Sequence, residues 1–462
     1  MSKGTPTGEV AVLVTNPALA REAHMALRAL PHPVVQLNSI KDAFEFLAYR
    51  RPTLLVVDEA LEGSSHRGFF VLEALARKSL LSPLTATLVL GQAVFRSHVW
   101  AAHDLAVDAL LLKPITHRKL QTHAAKAMAR KQALRPILEH LALEDTQATL
   151  RVIEAQLAHN PVYKVALQEH KANLLLCGDP TEAERFFRSE AAQVHGAPWC
   201  AAGLISALTA QGRLCEAKAL ADQQLDHHGE HLPLLDAAAQ AFLAHNLPLR
   251  ARTVLERACE HAALSLARQR KAVELALAFD EGREALTLAS KVMAQFHESA
   301  LLNINDRLRQ FRAAALAPAS HTLYTGIENL KQVRLGEREL PSTELAIWEL
   351  LAKETRARET QTPLSGRQSY VRQALAALAL SDMKRQTAIA CLEAAARTGL
   401  GDAGERLRQQ LLAEPLTEFD QLRLRLLEPQ LQQDDWGLAP KTAQPATKQS
   451  LWARLRTQLA GG

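Results

Sequence analysis

The sequence predicts an α/β domain built on a parallel sheet, followed by an all-helical repeat array, and three observations carry that prediction. Between Val10 and about Lys131, short apolar runs alternate with amphipathic stretches, the pattern of a parallel sheet covered on both faces. Beyond Arg135 the strand signals stop and nearly everything has helical period. Within that helical part, a turn-like segment recurs every 34 residues.

The candidate strands are Val10–Val14, Val34–Leu37, Leu54–Val57, Thr87–Leu90 and Ala109–Leu112. Between the first two, Leu19, Ala23, Ala26, Leu27 and Leu30 fall at helical spacing and form one apolar stripe. Five strands and five helices in this length make a doubly wound, flavodoxin-like domain. Its functional site belongs at the carboxyl ends of the strands.

In the helical part, the segments GDPTEA, GRLCEA, NLPLRA and DEGREA end in Ala183, Ala217, Ala251 and Ala285, each 34 residues after the last. Each follows one helical stretch and opens another, so the unit is a helix, a tight turn and a second helix, stacked into an α-solenoid. Alanine at these positions lets paired helices cross closely. Gly178 and Gly212 end first helices where a left-handed cap costs least on glycine, and Asn246 is the next most tolerant type. From Leu301 to about Pro429 helices continue without clear period, with TAIACLEAAA (387–396) read as a further second helix. The stretch 437–450 has linker composition, and 451–460 reads as a short helix with Leu451, Trp452, Leu455 and Leu459 along one side. The expected domains are therefore 1–135, 140–435, with the clearest repeats over 164–299, and a linker with a short helix over 436–462.

Composition narrows the function. The 462 residues carry 54 basic and 49 acidic side chains, and a net charge of +5 spread so thinly is no footprint for nucleic acid. Cys177, Cys200, Cys215, Cys259 and Cys391 show no CxxC spacing and read as small core residues in a reducing compartment. The polar start has no apolar h-region, and no run of about 18 apolar residues follows, so a cytoplasmic location without stable membrane insertion is expected. His227, His228 and His231 in DHHGEH fit no spacing that fixes four zinc ligands and are read as a hydrophilic turn, so no metal site is expected. There is no GxSxG, Walker loop or HExxH, and the expectation is a protein that is not an enzyme.

LLVVD (54–58), closing the third strand, and LLLKP (110–114), closing the fifth, resemble the two best-known landmarks of response-regulator receiver domains over roughly residues 8–131. That resemblance implies a phospho-acceptor at Asp58 and a phosphoryl-contacting lysine at Lys113. Gly68 resembles the family's loop glycine but stands two residues late. Where the family has an acidic pair holding Mg²⁺, this chain has Thr15 and Asn16. The family's hydroxyl residue after the fourth strand corresponds to Gly91, and its switch aromatic to Leu110. Phosphoryl transfer to a carboxylate needs a hard cation held by carboxylate oxygens, so the resemblance implies an eroded, pseudo-receiver site with no cofactor. Mg²⁺ enters only if the receiver is active. The surface formed by the fourth and fifth strands with their helices would then bind a partner constitutively.

The 34-residue period with a small residue after the interhelical turn resembles the tetratricopeptide repeat, although the large aromatic expected early in each first helix is Leu167 in one unit and Ala201 in the next. The family's groove positions fall on Gln168, Ser206, Thr209, Asp236, Gln240, Arg270 and Glu274. The resemblances together imply a bacterial two-component-type adaptor whose partners are proteins, such as a sensor kinase or another response regulator. A second reading keeps Asp58 as a live phospho-acceptor that switches the array. A third makes the array a phosphatase of a partner receiver.

Overall fold

The computed structural model describes residues 8–63, 67–92, 95–141, 143, 145–159, 161–193, 197–297, 299, 301–332, 340–378 and 383–432. The expected linker and terminal helix over 436–462 lie outside the described residues. Packing divides the chain into two compact units, Met1–Ala317 and Pro318–Gly462.

The first unit opens with β1 (Val10–Leu13), α1 (Pro17–Leu27), β2 (Val34–Leu37), α2 (Ile40–Tyr49), β3 (Leu54–Asp58), α3 (Arg67–Arg77), β4 (Ala86–Gly91), α4 (Arg96–Asp104), β5 (Ala109–Leu112) and α5 (His117–Leu141). The strands form one parallel sheet in the order β2-β1-β3-β4-β5, with Val10 level with Val34 and Leu54, Leu54 with Ala86, and Leu88 with Ala109. Alternation sorts the side chains. Val10, Val12, Leu54, Val56, Leu88 and Leu90 face α1 and α5, while Ala11, Leu13, Leu55, Val57 and Val89 face α2, α3 and α4. Asn16 starts α1 by accepting from the amides of Ala18 and Leu19, and Ser39 with Asp42 closes a capping box on α2. This is the doubly wound receiver-like fold.

The expected boundary between 135 and 140 falls inside α5, a helix of 25 residues. Its N-terminal half covers the sheet through Leu120, Ala124 and Ala127, and its C-terminal half packs Leu134, Ile137 and Leu138 against Ile153 and Leu167. After four intervening positions, α6 (Thr146–His159) starts the helical array.

First helices follow at α7 (Lys164–Gly178), α9 (Pro198–Ala210), α11 (Leu232–Ala244) and α13 (Leu266–Ala278). Second helices lie at α8 (Pro180–Gln193), α10 (Leu214–His228), α12 (Pro248–His261) and α14 (Gly282–Gln295), and α15 (Ile304–Leu316) closes the unit. Both series start at intervals of 34 residues, and Ala183, Ala217, Ala251 and Ala285 are all 0% exposed. The period is therefore a packing period. Gly212, Asn246 and Asp280 take positive φ at the turns, at +74°, +58° and +62°. Gly178 does not: it is the last residue of α7, and Asp179 replaces the left-handed cap by accepting from the amides of Thr181 and Glu182 at 3.0 and 3.1 Å.

The second unit contains α16 (Ser320–Lys331), α17 (Ser342–Glu359), α18 (Leu364–Ala376), α19 (Arg385–Arg397), α20 (Gly401–Leu412) and α21 (Glu418–Leu431). The segment 387–396 lies in α19, which behaves as a first helix rather than a second. Gly399 follows it at φ +69°, and α20 then carries Gly404 where the earlier units carry alanine. A Cβ there would stand 2.4 Å from Leu431 Cδ2, so α21 comes closer than an alanine permits. The repeat thus reappears after a stretch in which its sequence signal is lost.

Candidate functional site

The carboxyl ends of β1, β3, β4 and β5 converge as the doubly wound topology requires. Asp58 ends β3 and is 2% exposed, and Lys113 follows β5. The Lys113 ammonium reaches Asp58 Oδ1 at 2.5 Å, and the Ala60 amide donates to the same oxygen at 3.3 Å. The Lys113–Pro114 peptide is cis. Gly68 lies in the first turn of α3, where a Cβ would collide with the Asp58 carbonyl oxygen at 2.2 Å. Its displacement in sequence therefore serves close contact between α3 and the strand end.

Thr15 and Asn16 are both spent on structure. Thr15 Oγ1 accepts from the Glu62 amide at 3.0 Å, and Asn16 Oδ1 caps α1. The donor set does not fit Mg²⁺. It offers one carboxylate already held by an ammonium, with no acidic pair beside it. Among the described residues no group of three or more metal-ligating side chains gathers anywhere.

A residue not singled out from sequence shapes the site. Glu59, 3% exposed, turns its Oε1 to His98 Nε2 at 3.3 Å and accepts from the Gln92 amide at 3.0 Å through Oε2. His98 lies between the rings of Phe69 and Phe95, with centroids 5.9 and 5.2 Å away. A Cβ at Gly91 would stand 3.1 Å from Glu59 Oε2 and 3.3 Å from Leu110 Cδ1. The place of the family's hydroxyl side chain is thus taken by a carboxylate from the neighbouring strand. The adjacent acids of VVDEA were the only sequence signal for it.

Helix α4 joins the α/β domain to the array. Arg96, Trp100 and Asp104 recur every fourth residue and so share one face. Arg96 pairs with Glu230 at 2.9 Å, Trp100 lies edge-on to His231 at 5.8 Å, and Asp104 takes the guanidinium of Arg268. Arg268 also holds Asp236 at 2.6 Å. Beneath them Phe70 of α3 meets Phe296 at 5.0 Å between centroids. Burial alone would raise the Asp104 carboxyl, but hydrogen bonds from His103 and Arg268 outweigh it and hold it below the usual carboxylate range. His103 is raised in turn, chiefly by its bond to Asp104, while burial lowers His231. The histidine segment is therefore no simple turn: His227 and His228 end α10, and His231 faces Trp100.

Most groove candidates are engaged within the array. Gln168 donates to Glu190 at 2.6 Å, Arg270 to Asp306 at 2.6 Å and to the Leu301 carbonyl at 2.8 Å, and Glu274 accepts from Arg309 at 2.5 Å. Ser206 and Thr209 donate to carbonyls one turn back in α9. Asp236 belongs to the α4 junction, and Gln240 is exposed. The candidates are thus not brought together as one open polar strip. Outside them, Phe95, Val99 and Leu112 are exposed apolar side chains along α4 and the end of β5.

No family model matches this chain, and no curated protein matches it. Among solved structures it is similar to the signal receiver domain of a protein described as a Luxo repressor from Vibrio parahaemolyticus, at 20% identity over 29% of this chain and 96% of that one, with a TM-score of 0.25. It is also similar to a tetratricopeptide repeat protein from Parabacteroides merdae ATCC 43184, at 11% identity over 57% of this chain and 98% of that one, with a TM-score of 0.32. A third likeness is to Naa15/Naa10 bound to HypK-THB, at 12% identity over 54% of this chain and 37% of that one, with a TM-score of 0.33. The architecture is that of a receiver-like domain continued by a tetratricopeptide-like helical array. Among the described residues no helix is long and apolar enough to cross a membrane.

Proposed function

We propose that this chain is a non-catalytic bacterial signalling adaptor, acting in the cytoplasm, whose receiver-like domain works without phosphorylation and whose partners are proteins of two-component type, a sensor kinase or another response regulator. A receiver-like domain joined to a tetratricopeptide-like array supports a signalling or protein-interaction role. The observation that carries the finer reading is the arrangement of charges at the strand ends. Lys113 neutralises Asp58 directly, and the Glu59 carboxylate fills the space beside Gly91. A phosphoryl group arriving at Asp58 would meet a second buried carboxylate and no acidic pair to recruit a dication. The exposed side chains Phe95, Val99 and Leu112 offer such partners an apolar surface.

The test is incubation of the full chain with acetyl phosphate and Mg²⁺, followed by intact-mass measurement. No Asp58-dependent phosphoryl adduct is expected, and Asp58→Asn is expected to change partner affinity by less than about threefold, under 0.7 kcal/mol. A stoichiometric adduct lost in Asp58→Asn, with a tenfold change in partner affinity, would establish the switch instead.

A further inference from the structure

The net charge of +5 is concentrated on one helix. Residues 117–135 of α5 hold six cations and no acid, and without them the chain's 54 basic residues fall to 48 against 49 acidic ones. Other helices set cations against acids one turn away, as Arg185 with Glu182, Lys218 with Asp222, Arg252 with Glu256 and Arg408 with Glu405 do at 2.6–3.1 Å. In α5, Lys131 has Asp108 at 3.5 Å and Arg135 has Glu139 at 2.7 Å. The side chains of Arg118, Lys119, Lys126 and Arg130 make no ion pair or hydrogen bond among the described residues.

Placement on the helix gathers these charges. Arg118, Thr122, Lys126 and Arg130 recur every fourth residue and share one face over about 18 Å, with Arg118 and Lys126 exposed and Arg130 half-buried. Helix α1 packs beside α5, the Gln121 side chain donating to the Ala26 carbonyl at 2.9 Å. It adds Arg21 and Arg28, exposed and equally unpaired among the described residues, with Met25 57% exposed between them, against the single acid Glu22. The first turn of α5 carries His117, Arg118 and Lys119 and no acid, so its cations oppose the helix dipole, while like charges one turn apart repel. The arrangement costs the fold stability that an acidic partner would restore.

We propose that the face formed by α1 and α5 docks an acidic amphipathic helix of a partner protein. Carboxylates on every fourth residue of such a helix rise by about 6 Å, the interval at which Lys126 and Arg130 follow one another, and its apolar side chains meet the adaptable thioether of Met25. A phosphate backbone would leave that thioether uncovered, and one exposed methionine offers a bilayer too little apolar surface to enter. Docking there does not involve Asp58, so its absence would leave the phosphorylation-free reading standing.

The probe is a labelled synthetic peptide with Glu at every fourth position and a leucine stripe, titrated by fluorescence anisotropy against the full chain at about 0.15 M salt. It is expected to bind saturably at one site, at least about tenfold tighter than a scrambled peptide of the same composition, a short DNA duplex or phosphatidylglycerol vesicles. Arg118→Glu with Lys126→Glu is expected to weaken it at least about tenfold without lowering the unfolding temperature, because the exchange removes repulsion and places an acid in the first turn. Lys353→Glu with Arg372→Glu makes the same charge change on exposed, unpaired cations of α17 and α18 and is expected to leave the affinity within about twofold. Met25→Ser is expected to weaken the peptide and leave the weak DNA binding unchanged. Equal binding of the scrambled peptide, tighter binding of DNA or vesicles, wild-type affinity in the α5 double variant or in Met25→Ser, a lowered unfolding temperature in the former, or an equal loss in the α17 and α18 control would overturn the proposal.

Discussion

Gly91 and Glu59 occupy one space: a Cβ at Gly91 would stand 3.1 Å from Glu59 Oε2, and that carboxylate is held by the Gln92 amide and His98. Gly91→Thr should therefore cost about 1–3 kcal/mol, since neither side can yield without breaking a buried bond. Combining it with Glu59→Ala should recover part of that loss. Chemical denaturation of the single and double variants measures the coupling, and strict additivity would show that the two residues do not compete.

Ala217 and Ala251 sit where second helices cross the array with no exposed surface. Leucine at either position should overpack the crossing by roughly 1–3 kcal/mol. Arg213→Ala, on an exposed side chain paired with Glu184 and Glu216, should leave the unfolding temperature unchanged. If thermal unfolding ranks the three variants alike, the 34-residue packing period is misassigned.

Arg268 is the common partner of Asp104 and Asp236. Arg268→Ala leaves both carboxylates without their guanidinium, a loss of about 1–3 kcal/mol. Hydrogen exchange should quicken first in α4, with the β-sheet amides unchanged. Uniform quickening across the α/β domain would mean that Arg268 supports global stability rather than the junction.

Glu344 in α17 is fully buried, with Oε1 accepting from the Thr387 hydroxyl and the Lys384 amide. Burial raises its carboxyl above the usual value, and those hydrogen bonds only partly oppose the shift. A folded-state value above the unfolded one contributes stability that is complete below the unfolded value and is lost as pH rises through the folded one. Unfolding temperatures should therefore fall from acidic toward neutral pH by more in the wild-type chain than in Glu344→Gln. Parallel pH curves for the two would sink this assignment.

The strands were legible because each is a short, largely apolar run between amphipathic stretches, fully buried in β1, β3 and β4 and partly so at the edges β2 and β5, and the observed ends differ from the expected ones by a residue at most. The array was legible because each unit repeats the same local turn chemistry. Where the chain found another solution to the turn, as Asp179 did beside Gly178, reading by residue type failed. Gly404 escaped because it lies off the numerical period, although GLGDAG carries the same turn and small residue as GRLCEA. Asp58, Lys113, Thr15 and Asn16 were nominated by resemblance to receiver landmarks, and the structural use of Thr15 and Asn16 was not legible in the sequence. The Glu59–His98 pair joins residues from different elements, and the Arg268–Asp104 bond joins residues 164 apart. Such contacts leave no periodic trace, so the groove positions could not be told from positions already engaged.

The contact between Phe70 and Phe296 also sets an order of events during synthesis. Domains emerge N-terminus first at about 5–20 residues per second, and Phe296 leaves the ribosome more than two hundred residues after Phe70. For tens of seconds the α/β domain can close its sheet while the outer side of α3 still lacks its cover. The nascent chain thus carries an apolar face, bordered by Glu73 and Arg77, that a chaperone can hold until the last hairpins of the first unit arrive.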